Sequence, residues 1–473
     1  MTEKKDDSLK SLRKTLMRER RHAADVLDNT RKADAYRFAD DYIDYVSAVK
    51  TERESTRWFA DLLARRGFAD ASGSAESARS VFVAYRNRVI AAARLGTAPF
   101  DAGLTIVAAH HDSPRLDLKT NPIYEDLQFA MLKTHYFGGV RKHQWVARPL
   151  AIHGVVALAD GRRVDIAIGE DPADPVFTIA DLLPHLAANT QSQKKLAEAI
   201  PAEKLNVIIG GIPIGGTEDK DRFLLGALRL LHERFGIREE DFVSADIEIV
   251  PAGPARYVGL DRAFIGAYGH DDRCCSYAAM RALIDANDAT RTRVAICFDK
   301  EEVGSFGDTG AQGYFLKFLV ARLMECAGAK PDALAVERTL HNSFVISADV
   351  GASMDPDWKD VHDRRNAAFA GHGITIKKAT GQRGKTAASE ASAETVARLR
   401  EILTAANVPW QNSSMGKVDE GGGGTIAKFM AIHGAEVIDA GPPVLGMHSP
   451  FEILHVFDLY SAYAAYRAVF ESV

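Results

Sequence analysis

The chain is poor in cysteine and has no long apolar run, and both absences limit what it can be. Only four of its 473 residues are cysteines, and none shows the spacing of a zinc ribbon. Cys274 and Cys275 are adjacent and cannot easily bridge each other. We therefore expect reduced thiols and a cytoplasmic location. No apolar stretch reaches the length of about 18 residues that a membrane-spanning helix needs, so none is expected.

Signals for several other classes are also missing. Residues 1–27 are highly charged and lack the apolar core of a signal peptide. A net charge of −5 gives no basic field that would attract nucleic acid. No GxSxG motif and no obvious Cys-His pair occur, so covalent nucleophilic catalysis is not supported. The length suits two or three globular domains, and the sequence shows no fixed-period repeat.

Strand and helix patterns alternate in two separate parts of the chain. Residues 8–66 predict helices, residues 80–95 a hairpin that turns at Arg86–Arg88, and residues 104–110 a buried strand. From about residue 265 strands and helices alternate to the end, with helices predicted at 274–287, 312–328, 392–407 and 424–434. This alternation predicts an α/β fold, doubly wound, with a mostly parallel sheet and helices on both faces.

The stretch between these two parts has a different, β-rich texture. Its predicted elements are short strands in 144–169 with turns at His153-Gly154 and Asp160-Gly161, a loop and helix in 174–200, a helix over 221–236 and a strand over 245–253. We therefore predict a discontinuous catalytic domain of residues 1–119 and 256–473. An inserted β-rich α+β domain of residues 120–255 would separate its two parts.

Side chains that can bind metals follow several predicted strands. Functional groups of open α/β sheets collect just beyond the carboxyl ends of the strands. The candidates there are His110, His111, Asp112, His270, Asp271, Asp272, Asp299, Glu301, Glu302, Asp349, His448 and Glu452. A single such residue is usually a cap or a surface group, but oxygen and imidazole ligands without cysteine suit Zn²⁺, Co²⁺ or Mn²⁺. Two ions that share a carboxylate need about five or six such side chains.

Local spacing suggests roles for some of these groups. His110 and Asp112 lie two residues apart and face the same side of an extended chain, so Asp112 could fix the tautomer of His110. His111 faces the other way, which favours a packing role. Glu301 and Glu302 would point apart in a strand, but a turn before Gly304 would aim both inward. A two-metal hydrolase needs one carboxylate as ligand and one as general base.

Seven motifs occur in an order that resembles the aspartyl aminopeptidase/aminopeptidase I family of dinuclear zinc metalloaminopeptidases. They are HHDSPRLDLK, HDDR, DKEEVGSFGDTGAQG, SADVGASMDPDWKDVHD, GITIKK, GGGGTIAKFMA and LGMHSPFE. The resemblance covers roughly residues 80–470. FGGVRKHQWVARPLAIHGVV also resembles the family's signature at the start of its inserted domain. The resemblance implies self-association as a homododecamer through that domain.

The resemblance also implies a role for each site residue. His110 and Asp349 would bind one ion, Glu302 and His448 the other, and Asp271 would bridge them. Glu301 would be the general base, and Asp112 would orient His110. Which aspartate of the pair Asp271-Asp272 bridges depends on the alignment, and we choose Asp271. The implied substrate-site residues are Lys377, Gly423, Gly424, Thr425 and Met447, with His185 as the candidate to reach a neighbouring subunit's site.

We therefore expect a metalloaminopeptidase that holds two divalent ions per subunit, Zn²⁺ first and Co²⁺ or Mn²⁺ as alternatives. It would act on peptides with a free N-terminus and bind neither nucleic acid nor membrane. Another dinuclear hydrolase, such as an acyl-amino-acid deacylase or an endo-acting peptidase, stays open. A non-catalytic scaffold of the same fold is less favoured because Glu301 is intact. A P-loop nucleotide-binding protein is the remote alternative, based on ATGQRGKT at 379–386.

Overall fold

The computed structural model describes residues 2–73, 78–288 and 290–472. Their α-helices are α1 Thr2–Leu16, α2 Ala23–Val26, α3 Asn29–Ala48, α4 Glu52–Arg65, α5 Pro184–Ala187, α6 Leu196–Ala199, α7 Arg222–Phe235, α8 His270–Asp285, α9 Phe315–Cys326, α10 Ala333–His341, α11 Ala393–Ala405, α12 Ala427–Ala431 and α13 Val456–Ser472.

The strands belong to three main sheets and one two-stranded ladder. They are β1 Ala69–Asp70, β2 Ser80–Tyr85, β3 Val89–Arg94, β4 Thr105–His110, β5 Arg115–Asp126, β6 Phe129–Phe137, β7 Leu150–Ala157, β8 Arg163–Ile168, β9 Val207–Gly210, β10 Ala245–Pro251, β11 Arg256–Val258, β12 Phe264–Ala267, β13 Arg293–Phe298, β14 Phe344–Ser347, β15 Gly351–Ala352, β16 Ile374–Lys377, β17 Gly381–Gln382, β18 Trp410–Asn412, β19 Gly422–Gly423, β20 Glu436–Gly441, β21 Pro443–Leu445 and β22 Glu452–His455.

A nine-stranded mixed sheet forms the centre of the molecule. Its strand order is β1-β2-β3-β13-β4-β14-β20-β16-β18. The four central strands β13, β4, β14 and β20 run parallel, whereas the β2–β3 hairpin, the β3–β13 pair and the β20–β16 pair are antiparallel. Because the parallel strands end at the same edge, the residues that follow β4, β13 and β14 meet there.

Both faces of this sheet are covered by helices, as the near-continuous apolar strands predict. In β4, Val107 and Ala109 pack into one core with α3, α8 and α13, while Ile106 and Ala108 pack into a second core with α9, α10 and α12. Successive side chains of a strand point to opposite faces, so one buried strand serves two cores. The molecule is therefore a mixed α/β structure of sheets and helices.

A second, six-stranded sheet is built from residues 115–251. Its order is β8-β7-β10-β5-β6-β9, and every pair in it is antiparallel. The amphipathic α7 packs on it and ends at Phe235, and Gly236, where the sequence predicts the end of the helix, is a left-handed C-cap with φ of 73°. The sheet has its own apolar core, which includes Trp145.

Two details of this region differ from the sequence prediction. His153 and Gly154 lie inside β7 rather than at a turn, because β10 pairs with the strand along its whole length. Residues 174–200 form only the short helices α5 and α6 instead of one longer helix. The predicted turn at Asp160-Gly161 is correct, with the Gly161 N–H donating to the Leu158 carbonyl.

Ionic contacts join the second sheet to helix α4. His153 of β7 lies between two carboxylates, with Nδ1 2.8 Å from Glu54 Oε1 and Nε2 3.2 Å from Glu170 Oε1. Nearby, Arg115 of β5 stands 3.5 Å from the buried Glu52 of α4. These pairs lie where α4 meets the second sheet. Within the described ranges, no helix combines the length and apolarity needed to cross a bilayer.

Candidate active site

The first group of site residues lies at the end of β4. His110, the last residue of that strand, is buried, and its Nδ1 is 3.1 Å from Asp112 Oδ1. This contact leaves Nε2 of His110 free to face Asp271 Oδ1 at 3.2 Å. His111 faces the opposite side, where it contacts Ser55 and the Arg88 carbonyl. The prediction that His110 and His111 face opposite sides of the strand is therefore confirmed.

Asp271 lies between the two histidines. It is the second residue of α8, and the oxygen that does not face His110, Oδ2, is 3.3 Å from His448 Nε2. The neighbouring Asp272 is fully buried, and its Oδ2 accepts a 3.4 Å hydrogen bond from the backbone N–H of His110. Of the pair that the sequence left open, Asp271 is the one that faces both imidazoles and the cleft.

The adjacent glutamates Glu301 and Glu302 both line the cleft, as the turn hypothesis required. Their turn starts earlier than expected, at Lys300, whose φ is 66°, and a 3₁₀ turn over Glu301–Val303 follows before Gly304. Asp112 stabilises this turn. Its two oxygens accept hydrogen bonds from the backbone N–H groups of Glu301 and Glu302, at 3.2 and 3.1 Å. One buried carboxylate therefore orients both His110 and the glutamate pair.

His448 completes the group from a loop between β21 and β22. Its backbone is left-handed, with φ of 65°, and its side chain is about one-third exposed. Nε2 lies 3.4 Å from Glu302 Oε2, while Nδ1 donates to the carbonyl of Gly139 at 3.3 Å. Gly139 follows β6, so the acceptor for this imidazole comes from the second sheet.

Glycines make that approach possible. A Cβ atom on Gly139 would lie 2.8 Å from Nδ1 of His448, closer than real Cβ contacts allow. A Cβ atom on Gly138, whose φ is 71°, would lie 3.3 Å from Oε2 of Glu302. The segment after β6 can therefore contact two predicted metal ligands only because it carries no side chains there.

Asp349 and Lys377 also line the cleft. Asp349 follows β14 and brings a carboxylate oxygen close to those of Asp271 and Asp272. The buried Lys377 donates from Nζ to the backbone carbonyls of Asp349 and Val350, each at 3.1 Å. Its ammonium group therefore supports the strand end that carries Asp349, while the side chain also lines the cleft.

The cleft has a volume of about 610 Å³. The predicted substrate-site residues Gly423, Gly424, Thr425 and Met447 line it, together with the cations Arg383, Lys385, Lys417 and Lys428. His185 does not: it lies exposed on α5 in the region of the second sheet. The stretch 379–386 forms part of the rim, where β17 pairs with β19. Because α11 starts only at Ala393, the helix that must follow a phosphate loop directly is not there.

The charges in the cleft are unbalanced without a cation. Burial, followed by the charge of Asp271, raises the pKa of Glu302 well above its usual range. Burial and nearby carboxylates likewise raise the pKa of Glu301 to about 8 and that of Asp349 to about 6. Glu302 Oε1 and Asp272 Oδ1 are buried without a hydrogen-bond partner among the described residues. Divalent cations would reverse these shifts and supply the missing partners.

The donor set fits such ions. Oxygen or nitrogen atoms of His110, Asp271 and Glu302 all lie within 4.8 Å of one another, and so do those of Asp271, Asp272 and Asp349. Imidazole and carboxylate donors of this kind suit zinc and its neighbours. Both trios contain Asp271. They group His110 with Glu302 and include Asp272, and so they differ from the division of ligands that the resemblance implies.

Sequence reasoning identified the groups at the strand ends but missed their supports from elsewhere in the chain. No role was inferred for Gly139, and Glu452 was recognised only as a candidate without a function. Glu452 Oε1 accepts the His448 N–H at 2.7 Å, and its Oε2 accepts the Asp271 N–H at 3.0 Å. The only available signals were the double glycine in FGGVRKHQW and an acidic residue four positions after His448.

Comparison with known proteins identifies the family of the chain. A family model described as "Aminopeptidase I zinc metalloprotease (M18)" matches residues 45–470. A probable M18 family aminopeptidase 1 from Thermotoga maritima is 46% identical over 451 residues, which cover 95% of this chain and 98% of the relative. A similar protein from Borrelia garinii is 45% identical over 450 residues, covering 94% of this chain and 98% of that one.

Solved structures give the same result. The crystal structure of an M18-family aminopeptidase from Thermotoga maritima superposes with a TM-score of 0.91 at 44% identity, covering 96% of this chain and all of that one. A structure of the S. cerevisiae mApe1 dodecamer shares the fold, with a TM-score of 0.71 at 20% identity and coverage of 94% and 99%. The chain therefore belongs to the M18 family of zinc metalloproteases and is a metallo-aminopeptidase.

Proposed function

We propose that this aminopeptidase removes the N-terminal residue of peptides by a two-metal mechanism with Glu301 as general base. One observation carries the proposal: the two oxygens of Asp271 each lie close to a different imidazole, with Oδ1 3.2 Å from His110 Nε2 and Oδ2 3.3 Å from His448 Nε2. A carboxylate in this position can serve two ions at once.

Five side chains would hold the ions. His110 and Asp349 would bind one ion, Glu302 and His448 the other, and Asp271 would bridge them. When bound, these ions would polarise the first peptide carbonyl and lower the pKa of a bound water. Zinc is the ion that the family description names, and the donors also suit Co²⁺ or Mn²⁺.

Glu301 would handle the proton. Its carboxylate lines the cleft next to Glu302, and Asp112 anchors the backbone of both residues from the side away from the cleft. Glu301 would take a proton from the attacking water and give it to the leaving amine. Its neighbour Glu302 would hold a metal, so the adjacent glutamates divide the two tasks that such a hydrolase requires.

Other residues that line the cleft would hold the substrate. Lys377, Met447 and the loop Gly423–Thr425 line the cleft beside the ligands, which supports a role in holding the peptide end. Gly423 and Gly424 leave the backbone of this loop open to a bound peptide, because they carry no side chains.

We further propose that residues 120–255 form an inserted domain through which copies of the chain associate. Exposed leucines at 182, 183 and 186 support an interface there, since apolar side chains clustered on a surface mark contact sites. The S. cerevisiae relative forms a dodecamer. His185, exposed among those leucines, would then be placed to reach a neighbouring copy. Sedimentation velocity should give one species of about twelve chains, and a monomer would contradict the association.

The mechanism is tested with chromogenic aminoacyl substrates, free and N-acetylated, with and without a chelator. We expect hydrolysis of the free-amine substrates alone, lost with chelator and restored by zinc or cobalt. Hydrolysis of the acetylated substrates would favour the deacylase or endopeptidase alternative instead. Acidic and neutral side chains in the substrate panel would show whether the cations at the rim set a preference.

The role of Glu301 is tested by Glu301→Gln, which keeps the shape of the side chain and removes its basicity. We expect kcat to fall about 10³-fold while the zinc content stays at that of the wild type. Glu325→Gln, at an exposed position of α9, is the control and should retain full activity. Near-normal turnover of Glu301→Gln would show that another group is the base.

A further inference from the structure

Glu452 is a buried carboxylate beside the site, with no role in the mechanism above. It is the first residue of β22, where it pairs with Ala267 of β12 across an antiparallel ladder. The chain leaves β12 and reaches Asp271 four residues later. The ladder therefore brings Glu452 next to the backbone that carries Asp271.

Both oxygens of Glu452 accept backbone N–H groups of site residues. Oε1 accepts from His448 at 2.7 Å, and Oε2 accepts from Asp271 at 3.0 Å, although Asp271 and Glu452 are 181 positions apart in the chain. One carboxylate thus ties together two segments that sequence alone does not connect.

The two tied residues also meet through their side chains. Nε2 of His448 lies 3.3 Å from Oδ2 of Asp271, so the contacts form a closed ring from Glu452 through both residues and back. His448 needs such support because its left-handed backbone is uncommon for a residue with a Cβ atom. The hydrogen bond from the His448 N–H to Glu452 anchors this backbone beside Asp271, which the imidazole contacts.

A purely structural role is the alternative, and Asp458 shows what it looks like. Asp458 is equally buried and accepts two backbone N–H groups, those of Gly371 and Gly373, each at 2.6 Å. Neither glycine belongs to the site. Glu452 differs because both of its donors are residues whose side chains converge on one point.

We propose that Glu452 is a positioning residue that sets the separation of Asp271 and His448, so that both can hold the same ion. It touches neither substrate nor ion and acts only through those two residues. The inference rests on the proposed function, since it assumes that Asp271 and His448 are ligands. Replacing a residue that hydrogen-bonds to a metal ligand commonly lowers metal affinity or activity about 10- to 100-fold.

The test compares Glu452→Gln with Asp458→Asn. Each replaces one acceptor oxygen of a buried carboxylate by an NH₂ group, which must face a backbone N–H. Zinc affinity is measured by competition with a chromogenic chelator, and the melting temperature is measured on the metal-free proteins. We expect both variants to melt lower, but only Glu452→Gln to bind one of its two ions about 10- to 100-fold more weakly. Excess zinc should restore kcat of Glu452→Gln with KM unchanged.

Several outcomes would overturn the inference. Wild-type zinc affinity in Glu452→Gln, or equal losses in both variants, would leave Glu452 a structural residue. If Glu452→Gln does not fold, Glu452→Asp keeps the charge, and since it is too short to bridge both donors, it should show the same selective loss of zinc. A wild-type protein that binds two zinc ions but cleaves no peptide would contradict the proposed function and leave the zinc comparison valid. A wild-type protein without zinc binding would contradict both.

Discussion

The two histidines of the site are held in opposite ways. His110 ends a central strand, is 1% exposed, and is oriented by Asp112 two residues away. His448 lies on a loop, is 32% exposed at its side chain, and is oriented by Gly139 and Glu452. The first is fixed by local spacing within one strand end, whereas the second depends on contacts between distant parts of the chain. Local changes should therefore damage the two sides of the site differently.

The largest effect should come from the residue that both sides share. Asp271→Ala removes the carboxylate that contacts both His110 and His448. We expect loss of both proposed ions and of all measurable peptidase activity. This loss should exceed the roughly 100-fold fall in activity that follows when a residue hydrogen-bonded to a metal ligand is changed. Zinc content per subunit and kcat/KM are the measurements. Asp272→Asn is the matched comparison and should lose much less zinc. The reverse ranking would make Asp272 the shared ligand.

The next largest effect should come from the support of His110. Asp112→Asn leaves an amide facing the N–H groups of Glu301 and Glu302 and weakens the acceptor for His110 Nδ1. We expect zinc affinity and kcat to fall about 10- to 100-fold. Chelator competition and steady-state kinetics measure these quantities. Asp101→Asn, at an exposed position before β4, should change neither. Zinc affinity and kcat equal to those of the wild type in Asp112→Asn would contradict the inference that Asp112 fixes His110.

A smaller effect should follow on the other side of the site. Gly139→Ala places a Cβ atom 2.8 Å from His448 Nδ1, so the imidazole must move. We expect about tenfold lower activity, with weaker binding of only the ion next to His448. Titration with cobalt, followed by its absorption spectrum, would separate the two ions. Gly211→Ala is the control, because a Cβ there meets no atom within 4 Å. Equal weakening of both ions would show that the two sides are not independent.

The smallest effect on catalysis, but a clear one on stability, should come from the junction between the sheets. Burial opposes protonation of His153, but Glu170 and Glu54 outweigh it and raise its pKa to about 9. A folded pKa above the unfolded value of about 6.5 means that this stability is fully present below pH 6.5 and is lost as the pH rises through 9.

His153→Gln should accordingly lower the free energy of unfolding by on the order of 3 kcal/mol at pH 6 and by little at pH 10. Urea denaturation at the two pH values measures this. Activity below pH 7 should stay near that of the wild type. A loss of stability that is the same at both pH values would mean that His153 acts through packing rather than through charge.

The same comparison explains what the sequence could and could not predict. The pairing of His110 with Asp112 follows from alternation along a strand, and the strand ends predicted which carboxylates and imidazoles would meet at the cleft. Gly139 is 309 positions from His448, and no periodic pattern links them. The turn at the glutamates was expected from Gly304, but it begins at Lys300, whose φ is positive. Positive φ is uncommon for a residue other than glycine, so the sequence did not predict that the turn would start there. Prediction succeeded where the cause is local and failed where tertiary contacts decide.

The carbonyl of Gly139 also bears on how modular this enzyme is. The six-stranded sheet could be mistaken for a detachable accessory, since its strands form one continuous stretch with a core of their own. An engineer who excised residues 115–251 to obtain a minimal peptidase would remove the acceptor for His448 Nδ1 along with it. A shortened catalyst would need a substitute carbonyl at that position, and a sheet transplanted from a relative would have to bring its glycines in register.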